Sequence, residues 1–173
     1  MKKIAIALIL IFVFSGVGFA RDNSTTSASV KYDLPYPGML PDHKLYKLKV
    51  LRDKVMLFII QDPIKKAEQH LLLADKRILM AKILADKGNV ELAKETALKG
   101  ENEITLLVFL FKDERRKPTK ELFNRVEKAS FKHQEVLNDI AKKVEKKDKK
   151  TFETVVYFST VNLGELRKIY KDY

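Results

Sequence analysis

The chain has 173 residues, contains no cysteine and carries a formal charge of +11 at pH 7. The missing cysteine excludes a disulfide framework, a cysteine nucleophile and attachment of a lipid to an N-terminal cysteine. Hydrophobic residues make up 46% of the chain, so we expect one domain with a packed core rather than wholesale disorder. The surplus of positive charge favours contact with an anionic surface, without saying which one.

The first 20 residues have the three-part pattern of a secretory signal peptide. Lys2 and Lys3 form the positive end, residues 4–14 are an unbroken apolar run, and the small Gly18 and Ala20 suit signal peptidase. We therefore expect an exported protein that is cleaved after Ala20. The alternative is a retained N-terminal membrane anchor, because the apolar segment lies at the short limit of a membrane span.

Two non-helical segments follow. Residues 21–31 are rich in serine and threonine, and we expect a disordered polar tether. Residues 32–46, here called the strap, contain Pro35, Pro37 and Pro41, which exclude a helix. The apolar side chains of the strap indicate that it packs on the helices and covers part of the core. The alternative is a loop that docks a partner.

Apolar side chains spaced by three and four residues predict five helices in a single domain over residues 32–173. The first begins near residue 44, with a stripe of Leu45, Leu48, Leu51, Val55 and Phe58. Asp62-Pro63 starts the second helix, and Lys87-Gly88-Asn89 separates the second helix from the third. Pro118 or Thr119 starts the fourth helix, and the fifth helix runs from about residue 151 to residue 170. We find no strand pattern, so the sequence predicts an all-α antiparallel bundle.

The second and third helices have the most regular pattern, which favours a coiled-coil-like seam between them. The short turn at Gly88 makes these two helices antiparallel. Gly100 lies on the seam, although glycine inside a helix costs about 1 kcal/mol relative to alanine. We expect either close contact between the helices at Gly100 or a local bend.

Part of the chain resembles a known family. Residues 34–43 read LPYPGMLPDH, residues 45–49 read LYKLK and residues 52–54 read RDK; Asp62-Pro63 and the segment HLLLADKR follow. Over about residues 32–145 these features resemble a family of exported bacterial proteins known only as a domain of unknown function. The resemblance implies export and a helical fold, and it supplies no activity. One departure is Lys44, where the family usually has proline, and this weakens the turn before the first helix.

No pattern of catalytic or metal-binding residues stands out. The chain has no Glu-x-x-His pair, no Gly-x-Ser-x-Gly and no phosphate-binding glycine loop. We therefore expect neither enzymatic activity nor a cofactor nor a metal. His133 lies on an apolar stripe and is expected to be a satisfied core histidine, whereas His70 is expected at an edge. Glu101 and Glu103 are spaced like solvated surface charges.

Two sets of residues are candidates for contact with a partner. The strap offers one set for an unknown protein partner: Tyr36, Pro37, Asp42, His43 and Tyr46. The basic segment at residues 142–150 offers the other, for an anionic envelope surface: Lys142, Lys143, Lys146, Lys147, Lys149 and Lys150. The alternative for these lysines is a solvated helix end. The segment lacks the interleaved aromatic side chains of a nucleic-acid groove, so no specific nucleic acid is expected.

Three functions remain open at this point. The first is an exported, non-enzymatic interaction or scaffold module at the cell envelope, with peripheral contact to the membrane. The second is an extracytoplasmic protein that binds a small ligand or acts in stress, with the ligand held in a cavity or groove between helices. The third, an enzyme of unrecognised type, is the least favoured. The sequence does not predict the oligomeric state.

Overall fold

The computed structural model describes residues 30–113 and 116–172. The described residues form five α-helices and no strand: α1 (Tyr46–Ile59), α2 (Pro63–Asp86), α3 (Val90–Asp113), α4 (Lys120–Lys143) and α5 (Lys146–Asp172). The prediction of an all-α bundle is confirmed. Residues 1–20 and nearly all of the tether lie outside the described residues, so export and cleavage stay predictions.

Helices α2 to α5 form two antiparallel hairpins that pack side by side. Helix α2 packs on α3 and α4 packs on α5, while α2 also contacts α4 and α3 also contacts α5. Helices α2 and α4, which join the two hairpins, run parallel. Glu68 of α2 pairs with Arg125 of α4 near the start of both helices, and Asp86 pairs with Lys143 near their ends. The core therefore lies between four helices of similar length.

Large apolar side chains from all four helices fill this core. One cluster includes Leu71, Ile104, Phe111 and Leu166, and a second includes Ile78, Leu84, Leu137 and Phe152. Burying one such side chain stabilises the fold by about 1.5–3 kcal/mol. The bundle is thus held together by apolar packing, as the absence of cysteine requires.

Local signals in the sequence set several helix ends. The Asp62 side chain accepts a hydrogen bond from the Lys65 amide at the start of α2, and the Thr119 hydroxyl accepts one from the Leu122 amide at the start of α4. Gly88 adopts φ 81° directly after α2, a conformation that favours glycine. These three helix ends were predicted from the residue types alone.

The close helix contact expected at Gly100 is confirmed. A Cβ atom at this position would lie 3.1 Å from Cδ1 of Ile78 and 3.2 Å from Cβ of Arg77, both on α2. These distances are shorter than ordinary van der Waals contact, so a side chain at this position would require Ile78 or Arg77 to shift. The advantage of close packing therefore explains a residue that helix propensity disfavours.

Helix α5 starts earlier than the sequence suggested, at Lys146 rather than near residue 151. The segment of six lysines is divided between the end of α4 and the first turns of α5. Asp148 is buried there, and its carboxylate lies 2.6 Å from Nζ of Lys94 on α3. Lysine is a good helix former, and this anchoring pair holds the first turn of α5 against the bundle.

The strap packs against the bundle, whereas α1 lies outside the core. Tyr32 packs against one core cluster, Leu34 packs against the other, and Pro37 is buried. Helix α1 follows and packs on α2 more lightly than the four bundle helices pack on one another. The expectation that the apolar stripe of α1 is buried in the bundle is wrong, because four helices already close the core.

Candidate functional site

The outer side of α1 carries a row of large apolar side chains that contact little of the described protein. We call this row the outer stripe; it consists of Leu48, Leu51, Val55, Phe58 and Ile59. Their exposed fractions range from 47% for Val55 to 81% for Phe58. Soluble domains usually cover contiguous apolar surface of this kind, so the outer stripe is a candidate docking surface.

The inner side of α1 makes the contacts that hold the helix in place. The Tyr46 hydroxyl lies 3.9 Å from Sδ of Met80 on α2. Nζ of Lys49 donates hydrogen bonds to the carbonyls of Pro37 and Met39, at 2.7 and 3.2 Å. Burial lowers the pKa of Lys49, although the charge of Asp53 opposes this effect. Polar anchoring of the inner side thus fixes the direction in which the outer stripe points.

Basic side chains accompany the outer stripe. Helix α1 contains Lys47, Lys49, Arg52 and Lys54 and a single acid, Asp53. The Asp53 side chain is buried and accepts a hydrogen bond of 2.7 Å from the Arg52 guanidinium. The solvent-facing side of α1 is therefore apolar at its centre, with Lys47 and Lys54 along one edge and the ion-paired Arg52 at the other.

A groove runs beneath α1, between α3 and α5. Its volume is about 950 Å³, and its apolar walls include Val50, Leu98, Phe109, Phe158 and Val161. Glu101, Thr105 and Asn162 lie at its polar side, where the Asn162 amide donates to Oε1 of Glu101 at 2.9 Å. A groove of this size and composition suits a small, largely apolar ligand.

A chain of polar contacts crosses the bundle from the strap to the groove. The Tyr32 hydroxyl donates to Oδ2 of Asp75 at 2.6 Å, and Oδ1 of Asp75 lies 2.8 Å from Nε2 of His133. Nδ1 of His133 lies 3.8 Å from Oε2 of Glu101, too far for a hydrogen bond. Neither of these two atoms has a hydrogen-bond partner among the described residues. The buried His133 therefore lies between two carboxylates and is hydrogen-bonded to that of Asp75 alone.

The environment of the polar chain shifts the pKa values of two of its members. Burial would lower the pKa of His133, but the hydrogen bond with Asp75 and the nearby Glu101 carboxylate outweigh it and raise the pKa to about 9. Burial raises the pKa of Tyr32, and the bond to Asp75 raises it further. The prediction that His133 is a core histidine is confirmed, with the Asp75 carboxylate as the partner of Nε2. It is only partly satisfied, because Nδ1 has no hydrogen-bond partner among the described residues.

A second polar cluster joins α2 and α3. Nδ1 of His70 lies 2.5 Å from Oε2 of Glu103, and the Arg77 guanidinium pairs with the other carboxylate oxygen. Burial would raise the pKa of Glu103, but His70 and Arg77 lower it overall. The prediction that His70 is an edge residue is wrong, since its side chain is buried between the two helices.

The prediction that Glu101 and Glu103 are surface charges is also wrong. Glu101 is 1% exposed and Glu103 is 6% exposed. The spacing offered a signal for Glu101: it lies four residues after Ala97 and three before Ile104, both fully buried. A helix with that period places Glu101 at the interface. What the sequence did not show was the pairing partner on another helix.

The predicted strap residues do not form one surface. Tyr36 is 84% exposed, whereas Pro37 is buried and Tyr46 belongs to α1. Nδ1 of His43 accepts a hydrogen bond of 3.1 Å from the Leu45 amide, just before α1. Asp42 lies 3.4 Å from Nζ of Lys87. These contacts give His43 and Asp42 local structural roles, and any binding role for the set stays a prediction.

The predicted lysines are split between the end of α4 and the start of α5. Four of them pair with acids: Lys142 with Asp139, Lys143 with Asp86, Lys147 with Glu145 and Lys149 with Glu153. All these pairs are solvent-exposed and individually weak. Together they still neutralise much of the positive charge at this end of the bundle, which reduces its attraction for an anionic surface.

The described residues offer no ready site for a metal and no membrane span. Within residues 30–113 and 116–172, histidine, aspartate and glutamate form no group of three or more that could hold a metal ion. None of the described helices combines the length and the apolar character needed to cross a bilayer. The candidate site is therefore the outer stripe with its basic edges, together with the groove beneath α1.

Comparison with known proteins identifies the family. Neither the curated proteins nor the solved structures contain a match to the chain. Residues 38–147 match the family model described as a domain of unknown function, DUF5667. This segment includes α1 to α4 and nearly the whole of the resemblance noted in the sequence. Since the match covers more than half of the 173 residues, the chain belongs to the DUF5667 family.

Proposed function

We propose that the protein is an exported, non-enzymatic interaction module of the bacterial cell envelope that binds a partner through the outer stripe of α1. The observation that carries this proposal is the exposure of five large apolar side chains on a helix whose inner side is already anchored. An apolar surface in a fixed orientation is typical of docking sites. The export part of the proposal rests on the signal peptide pattern at residues 1–20.

The energetic argument favours a surface that is covered when the protein acts. Burying one Leu or Phe side chain contributes about 1.5–3 kcal/mol. Covering even part of the outer stripe would therefore release several kcal/mol, which offsets a large share of the cost of association. The outer stripe is a stronger candidate than the six predicted lysines, because four of those lysines already pair with acids.

The non-enzymatic part rests on the sequence, which contains no recognised catalytic motif. The buried His133 lies between Asp75 and Glu101, and Tyr32 covers Asp75 on the strap side. In this polar chain the carboxylates of Asp75 and Glu101 face the His133 ring, and Asp75 also accepts a hydrogen bond from the Tyr32 hydroxyl. This arrangement supports a role in stability rather than in catalysis.

A second candidate function is the binding of a small ligand in the groove beneath α1. The groove volume of about 950 Å³ and its apolar walls favour this function. Mass spectrometry of the gently purified protein would detect a retained ligand. Val161→Glu places a charge on the groove wall and should abolish retention, whereas Tyr157→Ser lies outside the groove lining and should not.

Binding to isolated envelopes tests the main proposal. All the packing described above lies within residues 30–172, so a chain of residues 21–173 keeps the whole bundle. We expect this chain to sediment with envelopes of the source bacterium, and the double variant Leu51→Ser/Phe58→Ser to stay in the supernatant. Tyr157→Ser removes a similarly exposed aromatic ring from α5 and is the matched control.

The result can contradict the proposal in a clear way. Equal sedimentation of the double variant and the parent chain, with unchanged circular dichroism, would show that the outer stripe binds nothing in the envelope. Loss of binding in Tyr157→Ser as well would indicate nonspecific hydrophobic binding rather than binding at a defined site. Either result would remove the basis for an interaction module that acts through α1.

A further inference from the structure

We infer that the partner of the outer stripe is an anionic lipid surface, on which α1 lies parallel to the membrane plane as an interfacial helix. This inference rests on the proposed function and names the partner. It differs from contact through the six predicted lysines in two ways. It assigns the contact to α1, and it adds an apolar contribution to the electrostatic one.

The arrangement of side chains around α1 has the form that interfacial helices need. With 3.6 residues per turn, the outer stripe spans less than half of the helix circumference. Lys47 and Lys54 lie along one edge of the stripe, and Arg52, which pairs with Asp53, lies at the other. An interfacial helix buries its apolar side among the lipid acyl chains while basic edges reach the head groups. Each basic residue near an anionic membrane contributes attraction worth about a fivefold change in binding.

The charge of α1 points to an anionic surface. Four of its fourteen residues are basic, and its only acid, Asp53, is buried on the inner side and paired with Arg52. Since Arg52 pairs with Asp53 and Lys49 binds backbone carbonyls on the inner side, the positive charge that α1 offers to a partner comes from Lys47 and Lys54. Lipid head groups with negative charge match this charge along the edge of the outer stripe that holds Lys47 and Lys54.

The same charges disfavour a second copy of this chain as the occupant. Two α1 helices packed through their outer stripes would bring Lys47 and Lys54 of one copy close to those of the other. Neither helix has an exposed acid with which these lysines could pair, so like charges would repel across the contact. This repulsion would reduce the free energy gained from burying the two apolar stripes. An anionic membrane would instead add electrostatic attraction to that gain.

The position of α1 also leaves the outer stripe accessible. Helix α1 packs chiefly on α2, and its inner residues Tyr46 and Val50 face the groove. Every side chain of the outer stripe is at least 47% exposed within the described structure. A membrane surface can therefore be reached without rearranging the four-helix core, and the bundle would lie beside the bilayer rather than in it.

Vesicle sedimentation with the chain of residues 21–173 tests the inference. The probes are vesicles of phosphatidylcholine alone and vesicles in which about one quarter of the lipid is phosphatidylglycerol. We expect binding to the anionic vesicles only, and a loss of binding when NaCl is raised from about 0.1 to about 1 M. The double variant Leu51→Ser/Phe58→Ser should bind at least about tenfold more weakly.

Charge variants separate the contribution of α1 from that of the predicted basic segment. Lys47→Gln/Lys54→Gln should weaken vesicle binding by about tenfold or more. Lys142→Gln/Lys146→Gln removes the same charge from the predicted basic segment and should have a much smaller effect. All four positions are exposed, so the melting temperatures should agree, and circular dichroism would verify this. A larger effect at Lys142 and Lys146 than at α1 would overturn the inference.

Two further outcomes would overturn the inference while leaving the proposed function in place. In the first, the chain sediments with envelopes in a manner that depends on the outer stripe but does not bind anionic vesicles. The partner would then be a protein or a wall polymer. Analytical ultracentrifugation could instead show a dimer that Phe58→Ser abolishes, and the occupant would then be a second copy. Absence of binding to both envelopes and vesicles would remove the proposed function as well.

Discussion

The protonation of His133 should control the stability of the bundle at alkaline pH. His133 is fully buried between Asp75 and Glu101, and its pKa in the folded protein is about 9 against an ordinary value of 6.5. Each unit of difference between the folded and unfolded pKa values corresponds to about 1.4 kcal/mol. The protonated imidazole therefore contributes about 3 kcal/mol to the free energy of unfolding.

The direction of the pH dependence follows from the raised pKa. Because the folded protein binds this proton more tightly than the unfolded chain, the stabilisation is fully present below about pH 6.5 and is lost as the pH rises through about 9. Urea unfolding followed by circular dichroism at a series of pH values measures the effect. We expect the free energy of unfolding to fall by about 3 kcal/mol over this range, equivalent to roughly 10 °C in melting temperature.

A variant without the titrating ring isolates the contribution of His133. His133→Gln should be destabilised at pH 6, because it leaves Asp75 and Glu101 buried without a cation between them. Its stability should then decline much less than that of the parent chain between about pH 6.5 and 9. A flat profile in the parent chain, or the same decline in both proteins, would refute the assignment of a protonated histidine in the core.

Three other substitutions test the packing. Gly100→Ala should destabilise the bundle by about 1 kcal/mol in urea unfolding despite its better helix propensity, because the added methyl group would lie only 3.1 Å from Ile78 and 3.2 Å from Arg77 on α2; increased stability would contradict this. Tyr32→Phe should cost about 1–2 kcal/mol and expose the strap to proteolysis, because Asp75 loses a donor; unchanged proteolysis would contradict this. Phe152→Ala should lower the free energy of unfolding by about 3–5 kcal/mol, whereas Phe158→Ala at the groove should change it by less than about 1 kcal/mol.

The helices and several of their ends could be predicted because their signals are local. Asp62 and Pro63 start α2 through a side-chain cap and a preset backbone angle, and Gly88 follows its last turn with a positive φ. The start of α5 was the exception. Lys146 lies within a run of lysines with no cap signal, and its helix is anchored by the pairing of Asp148 with Lys94 on another helix.

The candidate site was only partly predictable. The apolar spacing of α1 was visible in the sequence, but a stripe facing a core and a stripe facing a partner have the same spacing. The buried positions of Glu101 and Glu103 were missed for a related reason. A carboxylate on an apolar face is costly when alone and acceptable when paired, and the partners His133 and His70 lie about thirty residues away along the chain.

By itself, the sequence determined that this chain forms helices and where most of them begin, because helix formation depends on neighbouring residues. Its composition also determined that packing rather than disulfides holds the helices together. Only the tertiary structure decided which apolar faces meet. Helices α2 to α5 enclose the core and cover one another, so α1 is left with its outer stripe exposed. Burial is a property of the assembled bundle, and no periodicity within one helix can specify it.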